Sequence, residues 1–99
     1  MAHTLVSIQI IPRTPDGKDI IPYVDRAIEI IDQAGVPYRV GPLETTMEGE
    51  LPELLRIIEQ MNAEMVKMEA ASILSQVKIL HQPDGISISE LTQKYDQRS

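Results

Sequence analysis

The segment GPLETTMEGE, residues 41–50, determines the fold that this sequence predicts. Its Gly–Pro pair predicts a turn, because these two residues commonly interrupt regular structure. The residues LETTMEG at 43–49 have the β-branched content of a strand. An apolar pattern with helical spacing begins directly after them. One segment therefore predicts a hairpin turn, a strand and the start of a helix.

Three more strands are predicted, two before this segment and one after it. Residues 4–12, TLVSIQIIP, are rich in β-branched residues, alternate in part between apolar and polar, and end at a proline. VPYRV at 36–40 is placed to pair with 43–49 across the Gly–Pro turn. SILSQVKIL at 72–80 alternates in the same way as the first strand. The sequence therefore predicts four strands.

Helices are predicted between these strands and at the end of the chain. Apolar residues recur at helical spacing over residues 20–34 and again over 52–69. In the second of these helices the stripe is rich in methionine, and its spacing is that of a core-facing stripe. A short helix is expected over residues 86–96, where Ser87 and Glu90 match a capping box.

The predicted elements follow the order β-α-β-β-α-β, with one further helix at the end. This order is typical of a ferredoxin-like fold, an α+β two-layer sandwich in which a four-stranded antiparallel sheet carries both longer helices on one face. The first and third strands are central neighbours in that plan. A chain of 99 residues is expected to form one domain. We therefore predict a single domain over residues 1–99, with its core at about 4–81.

Alternation along the strands assigns side chains to the two faces of the sheet. The helix-covered face is predicted to carry Val6, Ile8, Ile10, Leu43, Met47, Val77 and Ile79. The opposite face is predicted to carry Ser7, Gln9, Glu44, Thr46, Glu48, Gln76 and Lys78, together with Leu5, Ile11, Leu74 and Leu80. Four large aliphatic residues are more than a solvated sheet face normally has. We therefore expect this face to meet another sheet, so that the protein forms a homo-oligomer.

Composition excludes several classes of function. Fifteen acidic and nine basic residues give a net charge of −6, which disfavours nucleic-acid binding because that requires a basic surface. The absence of cysteine excludes disulfides and thiolate metal sites. The sequence has no apolar run of the ~20 residues that a membrane span needs. Its first residues lack the pattern of a signal peptide, so a cytoplasmic location is expected.

Residues suited to catalysis or metal binding are few. His3 and His81 are the only histidines, and no patterned carboxylates accompany them, so we predict surface histidines and no metal site. No nucleophile elbow, P-loop or dinucleotide-binding fingerprint occurs. No residue is therefore predicted to be catalytic.

The strongest candidate for a binding site lies on the third predicted strand. Thr45, Thr46 and Glu48 lie there, beside Ser7 and Gln9 of the first strand. A carboxylate near hydroxyl and amide groups is suited to a ligand with N–H donors or a positive charge. The alternative is structural, because threonine favours strands and Glu48 could cap the helix that follows.

Three sequence features resemble the thiamine-binding, YkoF-like family. They are SIQIIP at 7–12, the pattern T-x-x-E-G at 45–49, and VKI at 77–79, in the order and spacing of that family. The resemblance implies a ferredoxin-like subunit that assembles into dimers or tetramers through its sheet. It also implies binding of thiamine or its hydroxymethylpyrimidine moiety, without catalysis and without a further cofactor. Where related sequences tend to have arginine and threonine in the last strand, this chain has Ser72 and Ser75.

The resemblance places the family's threonine, acid and glycine at Thr45, Glu48 and Gly49. Glu48 is expected to accept a hydrogen bond from the ligand's amine or to face its positive charge. Thr45, Thr46 and Gln9 are expected to orient the ligand, and Gly49 to permit a tight turn into the helix. Thr45 and Glu48 are three positions apart, so they can share a pocket only if the strand bulges or ends near Met47.

Two other functions are compatible with the same residues. One is a small regulatory or interaction module, in which the sheet face serves assembly alone. The other is an enzyme of the dimeric ferredoxin-like monooxygenase class. That class usually works in a roomy pocket with His, Trp or Asn side chains, which this aliphatic sequence does not obviously supply.

Overall fold

The computed structural model describes residues 2–96 and contains, within them, four strands and three α-helices. The strands form one antiparallel sheet in the order β2-β3-β1-β4, so the predicted central pair of first and third strands is confirmed. The two longer helices pack together and share one core with the sheet, which confirms the ferredoxin-like α+β architecture. In chain order the elements are β1 (Thr4–Arg13), α1 (Ile21–Ala34), β2 (Tyr38–Val40), β3 (Thr45–Gly49), α2 (Leu51–Lys67), β4 (Ser72–His81) and α3 (Ile88–Asp96).

The ends of α1 are set by local sequence. The Asp19 carboxylate accepts a hydrogen bond from the Ile21 amide (3.1 Å). Pro22 follows in the first turn. Its missing amide hydrogen costs nothing there, because amides of the first turn have no helical carbonyl four residues earlier to bond to. At the other end Gly35 has a left-handed conformation with φ of 79°, which glycine adopts without a steric penalty. These signals fix where the chain leaves α1 for β2.

The core between the helices and the sheet is almost entirely aliphatic. Met61 and Met65 are at most 1% exposed and Met68 is partly buried against the core, which confirms the prediction that the methionine stripe of the second helix packs inward; Met47 of β3 is also fully buried. Tyr23 is the one aromatic residue of the described core, and its hydroxyl donates to the Met68 carbonyl (2.9 Å). Flexible methionines fill the irregular space that aromatic rings fill in other proteins.

The β2–β3 turn begins the third strand later than predicted. The Gly41 amide donates to the Glu44 carbonyl (2.8 Å), which closes a tight turn over residues 41–44. The prediction that Leu43 lies on the helix-covered face is wrong, because Leu43 is in this turn and is 77% exposed. Pro42 has no amide hydrogen, so this part of the chain is a poor candidate for strand pairing.

The fourth strand lies at the edge of the sheet. Val77 and Ile79 pair with Ile8 and Val6, so they point to the helix-covered face as predicted. They are nevertheless 39% and 49% exposed, because the buried core lies over the central strands β1 and β3 and covers only the beginning of β4, near Ile73. The prediction of a covered position is therefore wrong for these two side chains.

Helix α3 lies on the other face of the sheet, which we call the open face. Its start is fixed in part by Ser87, whose hydroxyl accepts a hydrogen bond from the Glu90 amide (3.1 Å), as the capping-box pattern predicts. Ile86, just before the helix, is 3% exposed and its amide donates to the Ala2 carbonyl (2.9 Å). None of the helices within residues 2–96 has the length and apolar composition to cross a membrane.

Candidate functional site

The six predicted site residues lie on both faces of the sheet. Every residue from Thr45 to Gly49 pairs in turn with a residue of β1, so β3 contains no bulge. Thr45 lies opposite Ile8 on the helix-covered face and is 7% exposed, whereas Glu48 lies opposite Leu5 on the open face. Thr45 and Glu48 therefore do not share a pocket. The other polar candidates on the open face are Ser7, Gln9 and Thr46.

Glu48 is already used within the chain. Its carboxylate accepts a hydrogen bond from the Ile88 amide (2.7 Å) at the start of α3, where the helix dipole also favours a negative charge. The alternative that Glu48 caps a helix holds, but the helix is α3 rather than the following α2. Glu48 cannot reach α2, because its side chain points to the open face and α2 lies on the other face of the sheet. The first turn of α2 has no side-chain cap from Glu50.

Gly49 is needed for space. Its φ is not in the left-handed region, in contrast to the glycines at 17, 35 and 85. A Cβ atom at position 49 would lie 3.2 Å from Leu54 Cδ2 and 3.5 Å from Glu53 Oε1. Leu54 is fully buried. Glycine at position 49 therefore permits the first turn of α2 to pack closely on the end of β3. The predicted reason for this glycine, a tight turn, is wrong.

A first cavity, which we call the open-face cavity, lies between the sheet and α3 and has a volume of about 530 Å³. The Ser7 hydroxyl at its floor is buried and makes no hydrogen bond to any part of the chain that the structure describes. Two cations border it: Arg39 donates to the Thr92 hydroxyl (3.2 Å), and Lys78 pairs with Glu44 (3.3 Å). The remaining lining residues are Leu5, Thr46, Ile79, Leu80, Ile88 and Leu91.

A second cavity, which we call the helix-side cavity, has a volume of about 410 Å³. It lies between α1, the second half of β1 and the turn at residues 41–44. The Thr45 hydroxyl makes no hydrogen bond within residues 2–96. No lysine, arginine or histidine is among the described residues that line the cavity. Its wall includes Ile8, Gln9, Ile10, Ile20, Val24, Ile31, Leu43 and Glu44.

A third depression, of about 580 Å³, runs along the outer surface between α1 and α2. Some of its charged side chains are paired: Glu64 lies 3.1 Å from Arg26 and 3.9 Å from Lys67, and Arg26 also pairs with Glu29 (3.0 Å). None of the predicted site residues contributes to it. It has the character of a solvated helix surface.

The two histidines have separate partners. His3 Nδ1 lies 2.6 Å from a Glu50 carboxylate oxygen, and His81 Nδ1 lies 2.9 Å from the Thr4 hydroxyl. Within residues 2–96, no group of three or more His, Asp or Glu side chains is arranged to hold a metal ion.

Sequence reasoning missed the contributions of α3 and β2 to the open-face cavity. Leu91 and Thr92 were not predicted as site residues. The pattern within a terminal helix shows which of its sides is apolar, but not which face of the sheet that side packs on. Arg39 could have been found, since pairing of β2 with β3 places it opposite Thr46.

Residues 6–97 of the chain match the sequence model of a protein family described as "Thiamine-binding protein". The chain belongs to this family. A UPF0045 protein of Clostridium perfringens is 38% identical over 90 residues, which cover 91% of this chain and 94% of that protein. The family resemblance predicted from the sequence is therefore confirmed.

Solved structures of the same fold agree with this assignment. A domain of unknown function, DUF77, from Bacillus cereus has a TM-score of 0.87 and 36% identity, covering 95% of this chain and 90% of its own. A Thermotoga maritima protein, named for a proposed role in thiamine biosynthesis or salvage, has a TM-score of 0.82 and 35% identity. That match covers 93% of this chain and 97% of the Thermotoga chain. A thiamine-related role is therefore supported.

Proposed function

We propose that this protein binds thiamine or its hydroxymethylpyrimidine moiety in the helix-side cavity, without catalysing a reaction. The observation that carries the proposal is the Thr45 hydroxyl, which lies unbonded at the wall of a cavity of about 410 Å³. Pockets for small ligands are typically roughly 300–1,000 Å³, with apolar walls and few polar groups. The hydroxyl is not sealed from solvent and has no partner within residues 2–96, so a ligand can bond to it without displacing a hydrogen bond of the chain.

Electrostatics favours this cavity over the one on the open face. Thiamine carries a permanent positive charge on its thiazolium ring, and desolvating that charge beside Arg39 and Lys78 is unfavourable. Glu44 is the single charged residue among the described residues that line the helix-side cavity, and its carboxylate pairs with Lys78 (3.3 Å), so none of these lining residues brings a positive charge to the thiazolium. The aliphatic wall formed by residues such as Ile8 and Ile31 suits the faces of the pyrimidine ring.

The proposal gives the six predicted residues different roles. Thr45 contacts the ligand, and Gln9 is among the residues that line the same cavity, although its side chain points to the open face. Ser7, Thr46 and Glu48 belong to the open face, and Gly49 permits packing of α2. A purely binding role fits the site, because the described residues that line the cavity include no histidine or lysine that could activate the Thr45 hydroxyl as a nucleophile.

Titration calorimetry with thiamine and with hydroxymethylpyrimidine tests the proposal. Thr45→Val keeps the shape of the side chain and removes the hydroxyl, so affinity should fall about 3- to 10-fold. Glu48→Gln is the matched control on the opposite face and should leave the affinity unchanged. A loss of binding in Glu48→Gln, with none in Thr45→Val, would place the ligand on the open face. Absence of heat for the unmodified protein up to millimolar ligand would refute the binding function itself.

We also propose that the protein assembles as a homodimer or tetramer through the open face. Leu74 is 61% exposed on that face and pairs across the strands with Ile11, which is 40% exposed, while Leu80, further along β4, is 47% exposed. Exposed apolar side chains of this kind are typical of an interface. Light scattering at micromolar concentration should give a mass of two or four chains, and a strict monomer would contradict this part of the proposal.

A further inference from the structure

The second half of β1 has an unpaired edge at the helix-side cavity. β1 pairs with β4 over its whole length, from Thr4 to Arg13. Its pairing with β3 ends at Ile8 opposite Thr45, because β3 begins only after the turn at residues 41–44. Beyond Ile8, the edge of β1 therefore faces this turn and the cavity between them.

The direction of the backbone groups on this edge follows from the pairing pattern. In an antiparallel sheet the amide and carbonyl of one residue point to the same neighbour, and those of the next residue point to the other side. The Glu48 amide donates to the Pro37 carbonyl (2.9 Å), so alternate residues of β3, including Thr45 and Met47, direct their groups toward β1. Their partners Val6 and Ile8 then face β3, and Ile10 continues that series.

A contact at the start of β1 gives the same assignment independently. The Gln82 amide donates to the His3 carbonyl (2.8 Å), so odd-numbered residues of β1 face β4 and even-numbered ones face β3. Ile10 thus presents both an amide hydrogen and a carbonyl oxygen to the cavity. No backbone hydrogen bond joins Ile10 to the turn among the described residues. Pro12, the next residue in the series, has no amide hydrogen to offer.

We propose that the backbone amide and carbonyl of Ile10 bind the aminopyrimidine edge of the ligand. This inference rests on the proposed function and deepens it, because it names the part of the ligand that the site recognises. An aminopyrimidine places an N–H donor, its exocyclic amine, directly beside an acceptor, the adjacent ring nitrogen. Ile10 places an acceptor and a donor on one strand edge, so the ring can pair with it as a strand would.

This arrangement makes the site selective for an amine over an oxo group at that ring position. A 4-oxo pyrimidine presents an acceptor where the amine was and a donor on the ring nitrogen, which reverses the pattern. A hydroxyl such as that of Thr45 can rotate to suit either pattern, but the Ile10 groups are held by the pairing of β1 with β4. A mismatch leaves the backbone groups without partners, and we expect about 10-fold or more weaker binding.

Calorimetry with thiamine and with oxythiamine, its 4-oxo analogue, tests the selectivity in the unmodified protein. Amide NMR spectra recorded with hydroxymethylpyrimidine give a second readout that needs no substitution. The Ile10 amide should shift downfield on binding, and the Val6 amide, which is held in the β1–β3 ladder and does not line the cavity, is the internal reference. Ile10→Pro removes the one amide hydrogen without touching the β4 ladder, and should abolish most of the preference for thiamine over oxythiamine.

The outcomes separate this inference from the function on which it rests. Weaker binding of oxythiamine together with a shift of the Ile10 amide supports the inference, whether or not Ile10→Pro folds. Equal affinity for both compounds with an unshifted Ile10 amide overturns it, while the thiamine-binding function stands. If thiamine itself gives no heat and shifts no amide, the proposed function and this inference both fall.

Discussion

The two cavities on opposite faces of the sheet differ in what encloses them. The helix-side cavity is bounded by α1, β1 and the β2–β3 turn, which belong to the packed core of the domain. The open-face cavity is roofed by α3, which contributes no residue to that core. A ligand on the helix side therefore meets walls that are already in place, whereas the open-face cavity exists only while α3 stays docked.

The same strand supplies both cavities, and alternation along it separates their chemistry. Thr45 contributes a hydroxyl to the helix side, and its neighbour Thr46 contributes one to the open face. Basic side chains border only the second of these sites among the described residues. A single residue step in a strand thus decides whether a hydroxyl lies in a cavity without cations or in one bordered by two.

The largest expected difference between the faces is in the cost of removing a leucine side chain. Leu54 packs on the helix-covered side and is fully buried, whereas Leu74 lies on the open face and is 61% exposed. Leu54→Ala should lower the free energy of unfolding by about 2–5 kcal/mol, because it leaves a cavity in the core. In the isolated subunit, at concentrations low enough to dissociate the proposed assembly, Leu74→Ala should change it by no more than about 0.5 kcal/mol. Urea denaturation of the two variants measures the difference.

The Leu74→Ala result also bears on assembly. If the open face is buried between subunits, the effect of Leu74→Ala should exceed that of a surface substitution and should depend on protein concentration. A small effect at every concentration would count against an interface at this position. Equal large losses in both variants would contradict the assignment of the core to one face.

A smaller effect is expected where Glu48 holds α3. Glu48→Ala removes the acceptor of the Ile88 amide and should lower the local opening free energy of α3 by about 1–2 kcal/mol. Hydrogen exchange at the amides of α3 should become faster, while that of α2 stays the same. Glu59→Ala, the same substitution on the exposed surface of α2, is the control. Unchanged exchange in α3 would show that other contacts hold the helix.

The smallest effect is a titration on the helix-covered side. The Tyr38 hydroxyl donates to the Asp32 carboxylate (2.9 Å), and this hydrogen bond raises the pKa of Tyr38 above its ordinary value. A raised pKa in the folded state means that the contribution to stability is present below the ordinary pKa and is lost as pH rises past the folded one. Asp32→Asn should return the Tyr38 titration toward its ordinary midpoint, as followed by NMR of its ring. An unchanged midpoint would mean that the contact does not persist in solution.

The fold could be predicted from the sequence because its determinants are local. The alternation in β1 and the methionine spacing in α2 each identify an element and the side chains that it directs to the helix-covered core, without reference to any other part of the chain. The start of β3 could not be placed as well, since Leu43 is apolar enough to belong to a strand and only the closed turn excludes it. The sequence pattern does not show whether strand pairing of β3 resumes directly after Pro42 or only two residues later.

The site could be predicted only in part, because it depends on long-range placement. Thr45 was identified as a candidate, and the three-residue step to Glu48 already indicated opposite faces in a regular strand. The partner of Glu48 could not be foreseen, since it is a backbone amide 40 residues away in α3. The unpaired edge at Ile10 could not be predicted either, because it results from the difference in length between β1 and β3.

The methionine-filled core has a consequence for the chemical durability of the protein. Oxidation converts a methionine into a polar sulfoxide, which an aliphatic interior does not accommodate. Met47, Met61 and Met65 are almost completely shielded, so an oxidant reaches them only when the domain opens. Each such event would then hinder closure, because the modified side chain no longer fits its place. The lifetime of this protein under oxidative conditions is therefore set by how often its core opens.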